Sequence, residues 1–254
     1  MLLCAVVGLV LLVTGAWSLP RPDALVRAAA PASAAAPAQA PTAARPNDAP
    51  PSRTLRINTS APPPAPVTAR ADATLVPDSG PGTYTTAKVS LDTTADEGRL
   101  YRYDVRVEKG LDLDPDDVAR ALQQTLDDPR SWRSTGKARF SLVAAGEDAD
   151  LRAYLVTPGT TDRLCAPLLT RGEVSCRAGD KVVLNAKRWV LGAAAYGDDV
   201  ASYRAYLANH EFGHALGRSH VGCPRSGRTA PVMLQQTKGL QGCTANPWPS
   251  VTKG

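Results

Sequence analysis

Apolar and polar residues follow three different patterns along this chain of 254 residues. Residues 1–17 are uncharged and almost wholly apolar, whereas residues 18–71 are rich in proline and alanine. A segment of the second kind buries too little apolar surface to fold, and its prolines favour an extended, stiff chain. Regular alternation and helical periodicity begin only near residue 72. We therefore predict one folded domain at 72–254, joined by a disordered linker to an apolar N-terminal segment.

Several strands are predicted in the domain from short apolar patterns. Over 101–108, apolar residues alternate with charged ones, which is typical of a strand with one buried face. Shorter patterns at 140–142, 151–155 and 182–184 predict three further strands, the last of them buried. The domain shows no internal repeat.

Two main helices are predicted between and after these strands. The first can be capped by Asp114, begins with a proline, carries apolar residues at helical spacing and stops before Pro129. The second runs from about 199 to 216. The predicted order is a strand, a helix, several strands and a final long helix. This order favours an α+β fold, with a mixed β-sheet against two main helices.

The distribution of charge argues against a nucleic-acid partner. The formal net charge is +5, but six arginines and only two aspartates lie within residues 1–71, so the domain itself is nearly neutral. A neutral domain without a basic stripe is poorly suited to neutralising phosphates. We therefore expect no binding of nucleic acid.

The N-terminal segment indicates export. Its 17 residues are at the short limit for a membrane-spanning helix and within the range of a signal-peptide core. No basic residue precedes the run and no clear cleavage site follows it, so a cleaved signal and a retained anchor both stay open. The linker could extend on the order of 150 Å. We expect the domain outside the membrane, either anchored or secreted into the cell envelope.

The three histidines of the chain fall within eleven residues, in the segment H-E-F-G-H-A-L-G-R-S-H at 210–220. On an α-helix His210 and His214 lie one above the other, so both can bind one ion. Gly217 then ends the helix and turns the chain, which brings His220 back toward the same ion. Three nitrogen ligands leave a fourth position for water, the arrangement of catalytic zinc sites. We predict one Zn²⁺ per chain, held by these three histidines.

Glu211 is the predicted catalytic residue. It projects from the helix face beside the ligands, close enough to reach a water on the ion without being a ligand itself. In that role it accepts a proton from the zinc-activated water during attack on a peptide bond, and passes the proton to the leaving amine. Two alternatives are weaker. Ordinary helices also carry H-x-x-x-H by chance, and a purely structural zinc would have four protein ligands and no use for Glu211.

The histidine segment resembles the extended motif of the metzincin clan of zinc metallopeptidases. Downstream, A-P-V-M-L-Q around Met233 resembles the methionine turn of that clan. From residue 72 onward the chain also resembles a zincin-like domain family of unknown function from actinobacterial cell envelopes. The matching segments are D-P-R-S-W at 128–132, R-L-C-A-P at 163–167, N-H-E-F-G-H-A-L-G at 209–217 and C-T-A-N-P-W-P at 243–249.

The resemblance implies a zincin-like fold in which the second main helix carries the zinc motif. It also implies that His210, His214 and His220 are ligands and that Glu211 is the base. Met233 would form an apolar floor beneath the imidazoles without being a ligand. The chain departs from the pattern after Met233, where two glutamines stand in place of a tyrosine that serves some members as a switchable fifth ligand. That form of transition-state assistance is therefore not expected here.

Four cysteines in the domain favour disulfides, because an exported chain meets an oxidising compartment. Cys165, Cys176, Cys223 and Cys243 permit three pairings, among which the sequence does not choose. Our hypothesis is nearest-neighbour pairing, which would close one loop ahead of the second main helix and another around Met233. A competing hypothesis places the Cys223 thiolate in the fourth zinc position, which would silence the site.

These features predict an extracytoplasmic zinc metallopeptidase of the metzincin-like type. The expected partners are a protein or peptide substrate, the membrane through the N-terminal segment, and the cell wall that the linker would cross. We expect a monomer. The alternative, from a different class of protein, is a catalytically silent zinc-bearing module that binds or scaffolds other components of the envelope. The presence of Glu211 favours the enzyme.

Overall fold

The computed structural model describes residues 76–252, which form a mixed α+β domain. The predicted apolar segment and linker lie outside the described residues. Within the described part, no helix is long and apolar enough to cross a membrane. The strands are β1 (Tyr84–Thr86), β2 (Arg99–Glu108), β3 (Ala138–Leu142), β4 (Leu151–Val156), β5 (Cys176–Ala178) and β6 (Lys181–Asn185). The α-helices are α1 (Pro115–Leu126), α2 (Pro158–Cys165), α3 (Ala186–Leu191) and α4 (Val200–Ala215).

The six strands form one mixed sheet in the order β1-β2-β4-β6-β5, and β3 pairs with the N-terminal half of β2. The pairs β2–β3, β2–β4 and β4–β6 are parallel. The pairs β1–β2 and β5–β6 are antiparallel. The order of the strands places the short β5 at one edge of the sheet. The mixed sheet confirms this part of the prediction from the sequence.

The sheet carries helices on both faces. Val105, Ala153 and Val182 lie in register across β2, β4 and β6, and all three are fully buried. They belong to the main core, which α1, α3 and α4 cover. The other face buries a smaller cluster around Tyr154 and Val183, against which α2 packs. Burial of these two apolar surfaces provides the main driving force for the fold, as expected for a layered α/β arrangement.

The two longest helices are those predicted from the sequence. The Asp114 carboxylate accepts hydrogen bonds from the backbone N–H groups of Asp116 and Asp117, at 2.7 and 3.3 Å, and so caps α1. α4 begins after Asp199 and ends at Ala215, within one residue of the predicted bounds. The prediction of two main helices omitted α2 and α3, which span only eight and six residues. Segments this short complete too few turns to show helical periodicity.

Strand β2 departs from the prediction of one buried and one exposed face. It is an inner strand with neighbours on both sides, and the acidic residues Asp104 and Glu108 are buried at 5% and 1% exposure. Asp104 pairs with Arg106 at 2.7 Å. Burial alone would raise the pKa of the Glu108 carboxyl, but four hydrogen bonds, from Thr160, Thr157 and Gly82, outweigh it and lower the pKa. Both acids are therefore satisfied inside the sheet layer.

Candidate metal centre

Helix α4 positions two of the three histidines. It starts at Asp199, whose side chain accepts a hydrogen bond from the Ser202 backbone N–H at 2.9 Å. The helix then crosses the core, so His210 and Glu211 are buried at 5% and 4% exposure, while His214 is half-buried. The ring centroids of His210 and His214 lie 4.8 Å apart, as expected for residues one helical turn apart.

A glycine turn brings the third histidine to the other two. Gly217 has a φ of +76°, in the left-handed region that favours glycine. Its N–H donates to the His214 carbonyl at 3.0 Å, and the Arg218 N–H donates to the Gly213 carbonyl at 2.9 Å. This paired arrangement is a Schellman motif, which ends the helix and reverses the chain. As a result, His220 Nε2 lies 3.0 Å from His214 Nε2, and the three ligand atoms of the cluster all lie within 4.8 Å of one another.

Backbone carbonyls orient the two helical imidazoles. His210 Nδ1 lies 2.8 Å from the Val232 carbonyl oxygen, and His214 Nδ1 lies 2.7 Å from that of Arg218. A carbonyl oxygen can only accept, so each Nδ1 carries the proton and each Nε2 keeps a free lone pair. The same two hydrogen bonds fix the ring planes, as the outer hydrogen bonds of metal-ligating histidines do.

All three imidazoles are kept neutral. Burial lowers the pKa of His210 to about 3. Burial also lowers the pKa of His214, and the positive charge of Arg177 adds to that effect. Burial also lowers the pKa of His220, and repulsion from His214 and Lys238 lowers that pKa further. Neutral imidazole is the form that binds a metal ion, so the cluster needs no prior deprotonation at physiological pH.

The cluster fits a divalent cation. Three nitrogens at 2.0–2.1 Å from a tetrahedral ion would be separated by about 3.3 Å. Here His214 Nε2 and His220 Nε2 are 3.0 Å apart, and no two ligand atoms of the cluster are more than 4.8 Å apart. Glu211 Oε2 is buried and has no hydrogen-bond partner among the described residues. Burial raises the pKa of this carboxyl to about 8. A buried acceptor without a partner is costly, and a cation with its water beside it would relieve that cost.

The segment around Met233 is joined to the histidine region by backbone hydrogen bonds. Met233 is buried, and its carbonyl accepts a hydrogen bond from the Val221 N–H at 3.2 Å, next to His220. The preceding residue, Val232, holds His210 as described above. One short segment therefore links the first and third histidines through backbone hydrogen bonds.

Gly213 allows α4 to approach this segment. A Cβ atom at Gly213 would lie 2.5 Å from Met233 Sδ and 2.6 Å from Trp132 Cζ2, far inside van der Waals contact. Reasoning from the sequence gave Gly213 no role. Its position in the interior of a predicted helix could have indicated a role. Glycine costs up to about 1 kcal/mol there relative to alanine, so a glycine in a helix interior usually indicates close packing against a neighbour.

Asn209, the residue before His210, anchors the helix to two distant segments. Its backbone carbonyl accepts from Trp132 Nε1 at 2.8 Å, and its side-chain oxygen accepts from Ser131 Oγ at 2.6 Å. Its side-chain nitrogen donates to the Pro247 carbonyl at 3.0 Å. Ser131 and Pro247 belong to the segments whose resemblance was noted from the sequence, but their convergence on Asn209 was missed.

The four cysteines form two disulfides, Cys165–Cys176 and Cys223–Cys243, which is the nearest-neighbour pairing. The competing hypothesis of a Cys223 thiolate ligand is wrong, because that sulfur is bonded to Cys243. The second disulfide closes a loop that contains Met233. Both bonds are consistent with an extracytoplasmic location.

A pocket of about 400 Å³ opens over the histidine cluster. Its lining residues are Leu168, Leu169, Thr170, Val174, Ser175, Cys176, Arg177, Tyr206, His210, Glu211, His214, His220, Gln235, Thr237 and Lys238. Gln235, one of the two glutamines that follow Met233, lines the pocket. Tyr206 enters it from α4 instead, but its hydroxyl donates to the Leu234 carbonyl at 3.0 Å and accepts from the Gln236 N–H at 2.8 Å. Tyr206 was not predicted from the sequence, and its hydroxyl is already committed to these contacts.

The fold and the cluster together define a mixed α+β domain with a three-histidine candidate metal centre. The chain belongs to the family described as "Protein of unknown function (DUF3152)", whose model matches residues 71–249. A search of curated proteins finds no match, and a search of solved structures finds none either.

Proposed function

We propose that this protein is an extracytoplasmic zinc-dependent metallopeptidase of the metzincin-like type. One observation carries the proposal: the three imidazoles converge beside the buried Glu211 side chain, whose Oε2 has no hydrogen-bond partner among the described residues, and an open pocket lies over them. Three nitrogen ligands with a further position open to the pocket are the donor set of catalytic zinc sites. A structural zinc site would normally include a fourth protein ligand, and none stands beside the cluster among the described residues.

The residues of the chain have distinct roles in this chemistry. His210, His214 and His220 would hold the ion, and zinc, when bound, would polarise a peptide carbonyl and make water more acidic. Glu211 accepts a proton from the water whose oxygen forms the new bond to the carbonyl carbon. It then gives that proton to the amine nitrogen as the C–N bond breaks. Burial raises the pKa of the Glu211 carboxyl to about 8 when no ion is bound, and the positive charge of a bound divalent ion would lower that pKa and favour the carboxylate that accepts the proton.

The support around the cluster agrees with a zincin-like fold. The helix that carries the first two histidines packs on a mixed sheet, a glycine turn follows it, and the segment of Val232 and Met233 hydrogen-bonds to His210 and to the residue after His220. We place the domain outside the membrane, carried on the linker at 18–71, with a protein or peptide as its substrate. The two disulfides support that location.

Glu211→Gln tests the proposal directly. This variant keeps the shape of the side chain but cannot accept a proton, whereas Glu97→Gln removes an exposed carboxylate outside the pocket and serves as the control. We expect both variants to bind one zinc per chain. Glu97→Gln should cleave a mixed peptide library as the natural chain does, and Glu211→Gln should be slower by a factor of about 100 or more. One zinc without turnover in the natural chain would favour the silent binding module instead.

A further inference from the structure

The pocket over the histidine cluster has more cationic than acidic side chains in its lining. Arg177 and Lys238 both contribute to it, and Glu211 is the one carboxylate among the described residues that line it. Arg177 lies on the edge strand β5, and Lys238 ends the short 3₁₀ helix Gln236–Lys238 that follows Met233. Two different segments thus place a cation at the same pocket.

Neither cation is neutralised by an acidic neighbour. Among residues 76–252, no carboxylate forms an ion pair with Arg177 or Lys238, and both side chains are exposed. The acids of the neighbouring segments are engaged elsewhere. Asp162 accepts hydrogen bonds from Thr170 and from the Gly172 N–H. Glu173 pairs with Lys187 and Arg188, which lie outside the pocket.

We infer that the pocket selects peptides that carry a carboxylate close to the scissile bond; this inference rests on the function proposed above. Arg177 and Lys238 attract such a carboxylate and repel a lysine or arginine at the same place. Three neutral imidazoles carry no charge and Glu211 compensates at most one charge of a bound divalent ion, so the ion strengthens the same preference. The exposed Leu168 and Leu169 complete the rim but add no charge.

A carboxylate near the scissile bond has two sources in peptides. It is either an aspartate or glutamate side chain within the sequence, or the free α-carboxylate of a peptide that is cut close to its C-terminus. Arg177 and Lys238 would bind a carboxylate from either source. Matched peptides separate the sources, because amidation removes the terminal carboxylate and asparagine replaces aspartate at nearly constant shape.

The test measures how fast the zinc-loaded full chain cleaves four peptides. These peptides carry aspartate or asparagine beside the scissile bond and have a free or an amidated C-terminus. The variant Arg177→Gln with Lys238→Gln removes both pocket cations. The control, Lys109→Gln with Arg120→Gln, removes two exposed cations outside the pocket. We expect kcat/KM to favour a carboxylate by about tenfold at low salt, from about three- to five-fold per cation. The preference should fall toward unity in the pocket variant and with added salt, but persist in the control.

The outcomes separate the inference from the proposed function. A preference confined to aspartate, or to the free C-terminus, supports the inference and identifies the source of the carboxylate. Equal cleavage of all four peptides by the natural chain overturns the inference and leaves the metallopeptidase standing. If no peptide is cleaved, the proposed function fails, and equilibrium binding of the same peptides to the zinc-loaded chain decides the matter. Tighter binding of the carboxylate peptides supports the charge preference, and equal binding contradicts it.

Discussion

Gly213→Ala should destabilise the domain although alanine is the better helix former. The new methyl group would lie 2.5 Å from Met233 Sδ and 2.6 Å from Trp132 Cζ2. The methionine side chain can rotate away. The tryptophan ring cannot move easily, because it is buried and its Nε1 is bonded to the Asn209 carbonyl. Overpacking of this kind costs about 1–3 kcal/mol, against up to about 1 kcal/mol gained from helix propensity.

With the full gain in helix propensity subtracted, the expected net loss for Gly213→Ala is up to about 2 kcal/mol, which lowers the unfolding temperature of a domain of this size by up to about 8 °C. The clash with Trp132 should also shift α4 near His210 relative to the Val232 carbonyl that orients this imidazole, so zinc affinity should fall by about tenfold. Calorimetry of the metal-free chain measures the first effect, and competition with a chelator of known affinity measures the second.

The control for this change is Gly159→Ala in α2. Its Cβ would lie 3.1 Å from the Asp78 carbonyl oxygen, a tight contact but without the overlap that occurs at Gly213, and Gly159 does not line the pocket over the histidines. We expect its stability to change by less than about 1 kcal/mol and its zinc affinity to stay the same. If Gly213→Ala unfolded at or above the temperature of the natural chain with unchanged zinc affinity, the tight packing of α4 against the methionine segment would be refuted.

Two further predictions concern residues outside the cluster. Glu108→Gln should cost about 1–3 kcal/mol at pH 7, because a buried charged acceptor of four hydrogen bonds is lost. The pKa of Glu108 in the folded state is lowered from 4.5, so the stability that its carboxylate contributes is complete above pH 4.5 and is lost as the pH falls through the folded-state pKa. Denaturant unfolding between pH 3 and 7 should therefore show the difference in stability between the natural chain and Glu108→Gln shrinking at low pH. Replacing Cys223 and Cys243 by serine should weaken zinc binding as well as stability. Replacing Cys165 and Cys176 should cost about 2–4 kcal/mol of stability and leave zinc affinity nearly unchanged, because that bond lines the pocket through Cys176 but lies outside the loop that holds Met233.

Much of the framework could be predicted from local sequence. Helix α1 has its own cap, first-turn proline and stop signal, and the helical spacing in α4 gave its bounds within one residue. The two histidines on α4 and the turn at Gly217 followed from helix geometry alone. These features depend on neighbours along the chain, which periodicity and turn chemistry describe well.

Features that depend on distant partners could not be predicted in the same way. Alternation along β2 did not reveal that β4 and α2 would bury Glu108, because alternation describes one strand and not its neighbours. The carbonyls of Val232 and Arg218 fix two imidazoles, yet any residue type supplies a carbonyl. Arg177 gave no signal either, because its importance arises only when β5 brings it to the pocket.

The central claim is that the three histidines hold an ion on which peptide hydrolysis depends. The most direct test measures bound zinc and peptide cleavage on the same samples of the full chain, with its disulfides intact. The chain is first stripped with a chelator, and zinc is then restored in steps. Cleavage should be lost with the ion and return in proportion to bound zinc, up to one ion per chain. A chain that binds no zinc, or cleavage that persists after zinc is removed, would contradict the claim.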